Sequence, residues 1–387
     1  MRIAVFVAAG LVVLTGFLHA QSDDDDDEMD YFPLVPSGNS LRFGLRYVGG
    51  PKVAFHNVGA VLPTVASVGA MDLAVHAYND GTVSPDGRTD ASGHPLNDGL
   101  TNTWTANYDT QITPDSNIAY HIYSTSSLAD SQTIKGQTAS ASGWELQVGR
   151  SLGKIARKVE VSLVGGFTFS GINAKKSSLV QAELTTLTDV YALNGQLPPT
   201  MPYTAPTTAY RDIFDPNGLP VLNPDGTQRT VSVDTSTLLG LDPTRTYTHS
   251  PAQVQGHWQI KGAYYTFRVG PMFQIPVTER FKLGFGFGAA AAIVGSTYKV
   301  DETIELDDAT QPVTALVQNV DEKTRNLLLP AFYADVDAEY WMTERTGFYL
   351  GATYQKSKSF DQSLDGRSAT IDMGSTSGFT SGLTLRF

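Results

Sequence analysis

Three observations predict the fold class. Eight segments alternate apolar and polar residues over about ten positions each. Short and long connections between them take turns along the chain. The chain ends "SGFTSGLTLRF", a strand-like segment closed by a bare aromatic. Together they predict an all-β protein, a transmembrane antiparallel up-and-down β-barrel of eight strands with long extracellular loops.

The alternation begins at "SLRFGLRYV", with Leu41, Phe43, Leu45 and Tyr47 on one face and Arg42 and Arg46 on the other. "GWELQVGR" sets Trp144, Leu146 and Val148 opposite Glu145 and Gln147. "VEVSLVGGFTF" sets Val161, Leu163, Phe167 and Phe169 opposite Glu160 and Thr168. "YYTFRVGPMFQI" sets Tyr265, Phe267, Val269 and Phe273 opposite Arg268 and Gln274. "RFKLGFGFGAA" sets Phe281, Leu283, Phe285 and Phe287 opposite Lys282 and small residues. "AFYADVDAEYWM" sets Phe332, Val336 and Tyr340 opposite Asp335, Asp337 and Glu339. "GFYLGATY" follows, and the last segment sets Phe379, Leu383, Leu385 and Phe387 opposite Thr380, Thr384 and Arg386. A soluble sheet also alternates. Here the large aromatics share one face and glycine, alanine and charge share the other, so the bulk faces lipid and the lumen is polar. A soluble barrel fills its inside with the large groups instead.

"RSLGKIARK", "PVTER" and "MTERT" read as short turns. The intervening connections, 49–142, 171–255, 296–329 and 359–370, are long. Short periplasmic turns and long outer loops are the arrangement of an outer-membrane barrel. An alternative with ten strands would use "GAMDLAVHAY" and "TNTWTANYD", and would break the alternation of connection lengths. Residues 1–20 carry Arg2, an apolar run from Ile3 to Leu18 and a small residue at Ala20, the pattern of an export signal peptide. Residues 21–39 hold "SDDDDDEMD", a self-repelling acidic run expected to be a solvated periplasmic linker. A calcium site there would need a geometry that such a run does not hold. Residues 40–387 are the expected barrel.

The tail resembles the C-terminal signature of outer-membrane barrel proteins, with Phe379, Leu383, Leu385 and Phe387 at its alternate positions. The resemblance implies recognition by the barrel-assembly machinery. "YNDGTVSPD", "DGLTNTWTANYDTQI", "GWELQVGRSLGK" and "TDVYALNGQLPPTMPY" look like segments of an uncharacterised family of exported outer-membrane β-barrels. That resemblance implies location and shape, with no activity or site attached.

In the 171–255 insertion, "SSLVQAELTTLTDVYALNG" fits a short amphipathic helix capped by Ser178, with Leu184, Leu187 and Tyr191 on one face. Such a helix would either plug the barrel mouth or pack on the outer rim.

Arg42, Arg46, Glu145, Glu160, Arg268, Lys282, Asp335, Asp337, Glu339 and Arg386 all face the predicted interior. Charges removed from water need partners, and eight strands leave an interior just filled by side chains. An ion-pair network that closes the lumen is the expectation, and a proton or ion path is the sharper alternative. Paired carboxylates could also serve acid–base chemistry, but nothing in the sequence defines a cleft. His249 and Ser250 are adjacent without forming a geometry, and His56, His76, His94 and His121 show neither metal spacing nor an evident aspartate partner. The chain has no cysteine and a net charge of -12, which exclude thiolate sites and disfavour nucleic-acid binding. No cofactor, metal or catalytic group is expected. The partners are outer-membrane lipid and an unidentified extracellular ligand, and the barrel is expected to be a monomer. Three function classes follow: a structural or surface-binding barrel with a plugged lumen, a narrow channel for ions or small solutes, and an enzyme acting on envelope lipid.

Overall fold

The computed structural model describes residues 38–63, 75–90, 92–128, 133–138, 140–155, 158–305 and 317–387. The expected signal peptide and nearly all of the acidic linker lie outside these residues. Eight strands form the wall: β1 Asn39–Val48, β2 Ala141–Ile155, β3 Val159–Tyr191, β4 Thr244–Pro276, β5 Phe281–Glu305, β6 Val317–Trp341, β7 Thr346–Ser357 and β8 Thr376–Arg386. Each pairs antiparallel with the next, and β8 pairs with β1 from Ser40↔Arg386 to Val48↔Gly378, which closes the ring. The strand number is therefore eight. His76–Tyr78 and Trp104–Ala106, from the ten-strand alternative, lie outside the ring in a small separate sheet.

Two of the short turns repeat one chemistry. In Val277-Thr278-Glu279-Arg280 the Thr278 hydroxyl accepts the Phe281 N–H at 3.1 Å; in Met342-Thr343-Glu344-Arg345 the Thr343 hydroxyl accepts the Thr346 N–H at 3.0 Å. Such side-chain-to-backbone bonds replace the ladder where the chain reverses.

The strands differ in length far more than the sequence periodicity suggests. β1, β7 and β8 have 10, 12 and 11 residues, about what a bilayer needs. β5 and β6 have 25 each, and β3 and β4 have 33 each. The expected helix over "SSLVQAELTTLTDVY" is the upper part of β3. It pairs on one edge with β4 (Ser177↔His257 to Val190↔Thr244) and on the other with Ile118–Ser127. Pairing on both edges, with a Thr- and Val-rich composition, overrides the helical spacing. As a strand it sends Leu184 and Leu187 to opposite faces.

Because the β3–β4 register runs without interruption, facing is conserved along each strand. Low on β4, the outward side chains are Tyr265, Phe267, Val269 and Phe273, and the inward ones include Thr266, Arg268 and Gln274. Higher up, the outward ones are Gln253, Gln255, His257, Gln259 and Lys261, while Val254, Trp258, Ile260 and Tyr264 are buried inward. β5 inverts in the same way, from outward Phe285 and Phe287 to inward Val294, Tyr298 and Val300. The lower half is thus dressed for lipid and the upper half for water.

The upper inward faces need a cover, because the other four strands end below them. A four-stranded sheet supplies it, in the order Phe360–Leu364, Arg367–Asp372, Lys52–His56, Thr133–Lys135. Val53, Phe55, Ala369 and Ile371 pack against Val254, Trp258, Ile260 and Val300 in one buried core, with Phe55 stacked on Tyr298 at 5.8 Å. Burying each of these large side chains contributes roughly 1.5–3 kcal/mol.

Candidate functional site: the lumen network and its cover

The inward charges meet across the barrel rather than along its strands. From β1, Arg42 donates Nη1 to Asp337 Oδ2 at 3.0 Å and lies 3.4 Å from Glu339 Oε1, both on β6. From β4, Arg268 donates to Glu145 Oε2 on β2 at 2.9 Å and to Asp335 Oδ2 on β6 at 2.7 Å. Tyr349 of β7 donates its hydroxyl to the second Glu145 oxygen at 2.8 Å. Lys282 donates to Glu160 at 2.5 Å, and Gln274 to Glu339 at 2.7 Å. Glu145 is fully buried, and Glu339, Arg46, Lys282 and Asp337 are at most 5% exposed. The ten predicted lumen charges, five of each sign, therefore face one interior, and eight of them share ion pairs.

The three arginines of the first and last strands take different partners. Arg42 crosses to β6. Arg46 reaches Gln355 Oε1 at 3.4 Å, and Arg386 stacks 3.6 Å above the Trp341 ring. Adjacent strands bring their backbones together, but like charges separate toward different partners.

Glycine on the inner wall makes room for this network. A Cβ at Gly284 would stand 2.5 Å from Asp337 Oδ1, and one at Gly166 would stand 2.9 Å from Arg268 Cγ. One at Gly44 would collide with the Tyr349 hydroxyl. The small residues seen opposite the aromatics are thus the space that the charged side chains occupy. At the lower end, between Ser40, Arg42, Ser162, Gln274, Glu339 and Arg386, a cavity of about 20 Å³ remains, room for about one water.

Above the network, Glu302 and Arg367 form a fully buried ion pair at 2.8 Å. Glu302 also accepts Trp258 Nε1 at 2.7 Å and the Gly59 N–H at 2.8 Å. This carboxylate ties β5 to β4, to the first connection and to the last one. None of these contacts was foreseen from sequence. The signal was present in "VQGHWQIK", where the alternation continues with its polarity reversed.

The 171–255 insertion lines the mouth with β3 and β4, but its residues 192–243 do not fill it; residues 53–61 and 360–373 pack there. Its Leu193, Ala205 and Leu239 instead join Tyr78, Trp104, Ile118 and Tyr120 in a second core. That core lies against the outward-facing Leu187 and Tyr191 of β3. Here Asp189 is fully buried and receives Arg245 Nε and Nη2 at 2.7 and 2.6 Å and the Tyr78 hydroxyl at 2.7 Å. Tyr78 and Tyr191 share a 2.6 Å bond. Burial pushes the Tyr191 hydroxyl up to about 12 and raises Tyr78 further.

Asp80 and His121, unrelated in the sequence pattern, are 2.7 Å apart. Asp80 Oδ1 also accepts the His121 N–H at 2.9 Å, and Asn79 donates its N–H to the His121 carbonyl. The pair thereby fastens the Asn79–Asp80 turn onto the edge of Ile118–Ser127. His249 meets Thr185 at 3.1 Å. Among the described residues, no group of three or more His, Cys, Asp or Glu is placed to hold a metal.

Beyond the second core a hairpin arm extends, Thr208–Asp212 paired with Thr230–Asp234. Tyr210, Phe214, Leu219 and Leu222 are exposed along it. Four outer turns share one form: Asp90, Thr113, Asp215 and Asn223 each donate the backbone N–H to the carbonyl four residues on, at 2.7–2.9 Å. The residue three on has positive φ in every case, Gly93, Ser116, Gly218 and Gly226. Glycine fills three of the four because it takes that conformation without strain. At the other end of the molecule, Phe379, Leu383, Leu385 and Phe387 lie on the outward face of β8, 41–66% exposed.

Ring closure, an apolar outer belt and a polar interior define an outer-membrane β-barrel protein. No known family model matches the chain, and no curated protein matches it in sequence. Solved structures similar in part include the attachment invasion locus protein Ail of Yersinia pestis, in complex with the heparin analogue sucrose octasulfate. It is 7% identical with a TM-score of 0.22, over 90% of this chain and 99% of that one. The outer membrane protease OmpT of Escherichia coli is 9% identical with a TM-score of 0.29, over 93% and 99%. A FadL homologue of Pseudomonas aeruginosa is 10% identical with a TM-score of 0.17, over 90% of each chain.

Proposed function

We propose that the chain is a surface-binding barrel of the bacterial outer membrane: a sealed stem that carries an extracellular head, whose outer turns and arm contact a ligand. One observation carries this reading, the double closure of the lumen. Buried ion pairs fill the lower half, and an apolar core between the upper wall and its covering sheet fills the mouth. A solute path would need an unpaired charged stripe and a continuous opening. The exposed apolar side chains of the arm support the placement of binding in the head. The reading assigns no catalytic group and takes the barrel as a monomer exported through the periplasm. Phe387 and the alternate residues before it would serve as the signal for barrel assembly.

Planar-bilayer recording of the refolded chain tests the proposal. Silence is expected from a preparation that shows folded β-structure. A stable conductance that changes ion selectivity on charge reversal at Asp335, Asp337 and Glu339 would replace the binding reading with a channel.

A further inference from the structure

The outward face of β3, β4 and β5 changes character abruptly above the belt. Phe169, Tyr265 and Ile293 end the apolar zone. Above them on the same face stand Lys175, Lys261 and Lys299, all exposed. The register places Lys175 opposite Gln259, Gln259 opposite Lys299, and Lys261 opposite Asn173 and Thr297. Lys261 is thus the diagonal neighbour of both other lysines, ~7–8 Å away. Lys175 and Lys299 are two strands apart, ~10 Å. The three surround Gln259, whose Nε2 donates to Asn173 Oδ1 at 3.3 Å.

None of the three forms an ion pair among the described residues. Glu322 faces Lys299 across the β5–β6 pair, and Asp301 lies two residues above it, at the edge of the patch. In a chain of net charge -12, three neighbouring cations are a local reversal of sign, bordered by carboxylates only at the Lys299 corner. Their height matters as much as their charge. Lys261 is four residues above Tyr265, ~13 Å along the strand. A lipid whose chains cover Phe167, Phe169 and Tyr265 brings its headgroup to this level.

We propose that Lys175, Lys261 and Lys299 form a docking surface for the phosphate groups of an outer-leaflet glycolipid. The occupant is argued from charge complementarity and from continuity with the apolar belt. It rests on the outer-membrane reading and adds a specific lipid contact to it. Ammonium groups at the triangle's corners reach one phosphate from three sides, and the acyl chains continue down the belt.

The test uses the full chain refolded in neutral detergent and offered diphosphoryl lipid A or its dephosphorylated form, with retained lipid counted by native mass spectrometry. The wild type should retain the phosphorylated lipid preferentially. K175Q/K261Q/K299Q should weaken that retention about tenfold, since three exposed charge contacts are removed. K154Q/K158Q, at the opposite end of the barrel, should not. Equal retention of the two lipids, or unchanged retention by the triple variant, overturns the proposal while leaving the membrane reading intact. Displacement of the lipid by millimolar inorganic phosphate would make free phosphate the ligand and overturn it too. Failure of the chain to fold in detergent or vesicles at all would overturn both readings. The triple variant must keep the wild-type heat-modifiable gel shift, which its exposed positions lead us to expect.

Discussion

The lower and upper halves of β3 to β6 obey the same geometry and opposite solvents. In the belt, Tyr265 and Phe285 face out while Arg268 and Lys282 face in. In the head, Gln255 and Lys299 face out while Trp258 and Val300 face in. The period of two never changes; only the medium on each side does. The comparison shows that strand periodicity specifies which side chains share a face, and that their chemistry specifies what that face touches. A register slip of one residue would therefore damage both halves at once, exposing lumen charges to lipid and core residues to water.

Substitutions can break this comparison at either level. The largest effect is expected at Arg367→Ala, which strands Glu302 as an unpaired buried charge and should destabilise the head by about 3–5 kcal/mol. Limited proteolysis should then cut the head while the barrel keeps its heat-modifiable gel shift; loss of both together would show that the halves fold as one unit. Next comes Val336→Arg on the belt, expected to cost about 2–4 kcal/mol in lipid vesicles. Its counterpart Gln255→Arg, outward in the head, should stay within about 0.5 kcal/mol. Equal costs in a urea titration would contradict the division of solvents.

Gly284→Val should cost about 1–3 kcal/mol by driving Asp337 from Arg42, and the double variant with Asp337→Ala should recover part of that loss. A gentler effect concerns pH. Backbone N–H groups of Leu219 and Asn217 hold the Asp215 carboxyl below its ordinary value. A depressed folded pKa means the turn's extra stability is present above the ordinary carboxylate value, ~3.9. It disappears as pH falls through the lower folded value. Amide exchange at Leu219, corrected for its intrinsic pH dependence, should accelerate in that acid window and not above it, and Asp215→Asn should flatten the response.

Much of the barrel was legible because a membrane strand advertises both faces. The aromatic row from Phe281 to Phe287 and the charges at Asp335, Asp337 and Glu339 each name a side. The upper strands were harder to read. Leu184, Leu187 and Tyr191 match helical spacing, yet they divide between two cores on opposite faces of one strand. Local pattern cannot register a partner such as Ile118–Ser127, whose pairing decides the outcome. The lumen residues could be enumerated from alternation alone. Their partners could not, because Arg42 meets Asp337 across the barrel, 295 residues away in sequence. The covering sheet was invisible for the same reason: its strands come from the first and last connections.

The uninterrupted β3–β4 ladder, from Glu160↔Gln274 to Val190↔Thr244, has a mechanical consequence. A ligand held by the arm pulls β3 and β4 from the same end, so the load runs along both strands and is resisted in shear by their outer neighbours β2 and β5. The segments that join the arm to these strands are packed into the second core through Leu193, Ala205 and Leu239. The molecule is a stiff mast, and tension on its tip reaches the bilayer almost undiminished. Single-molecule pulling from the arm should therefore extract the barrel or break the ligand contact before β3 and β4 unzip. An early unzipping step below the extraction force would refute the mast.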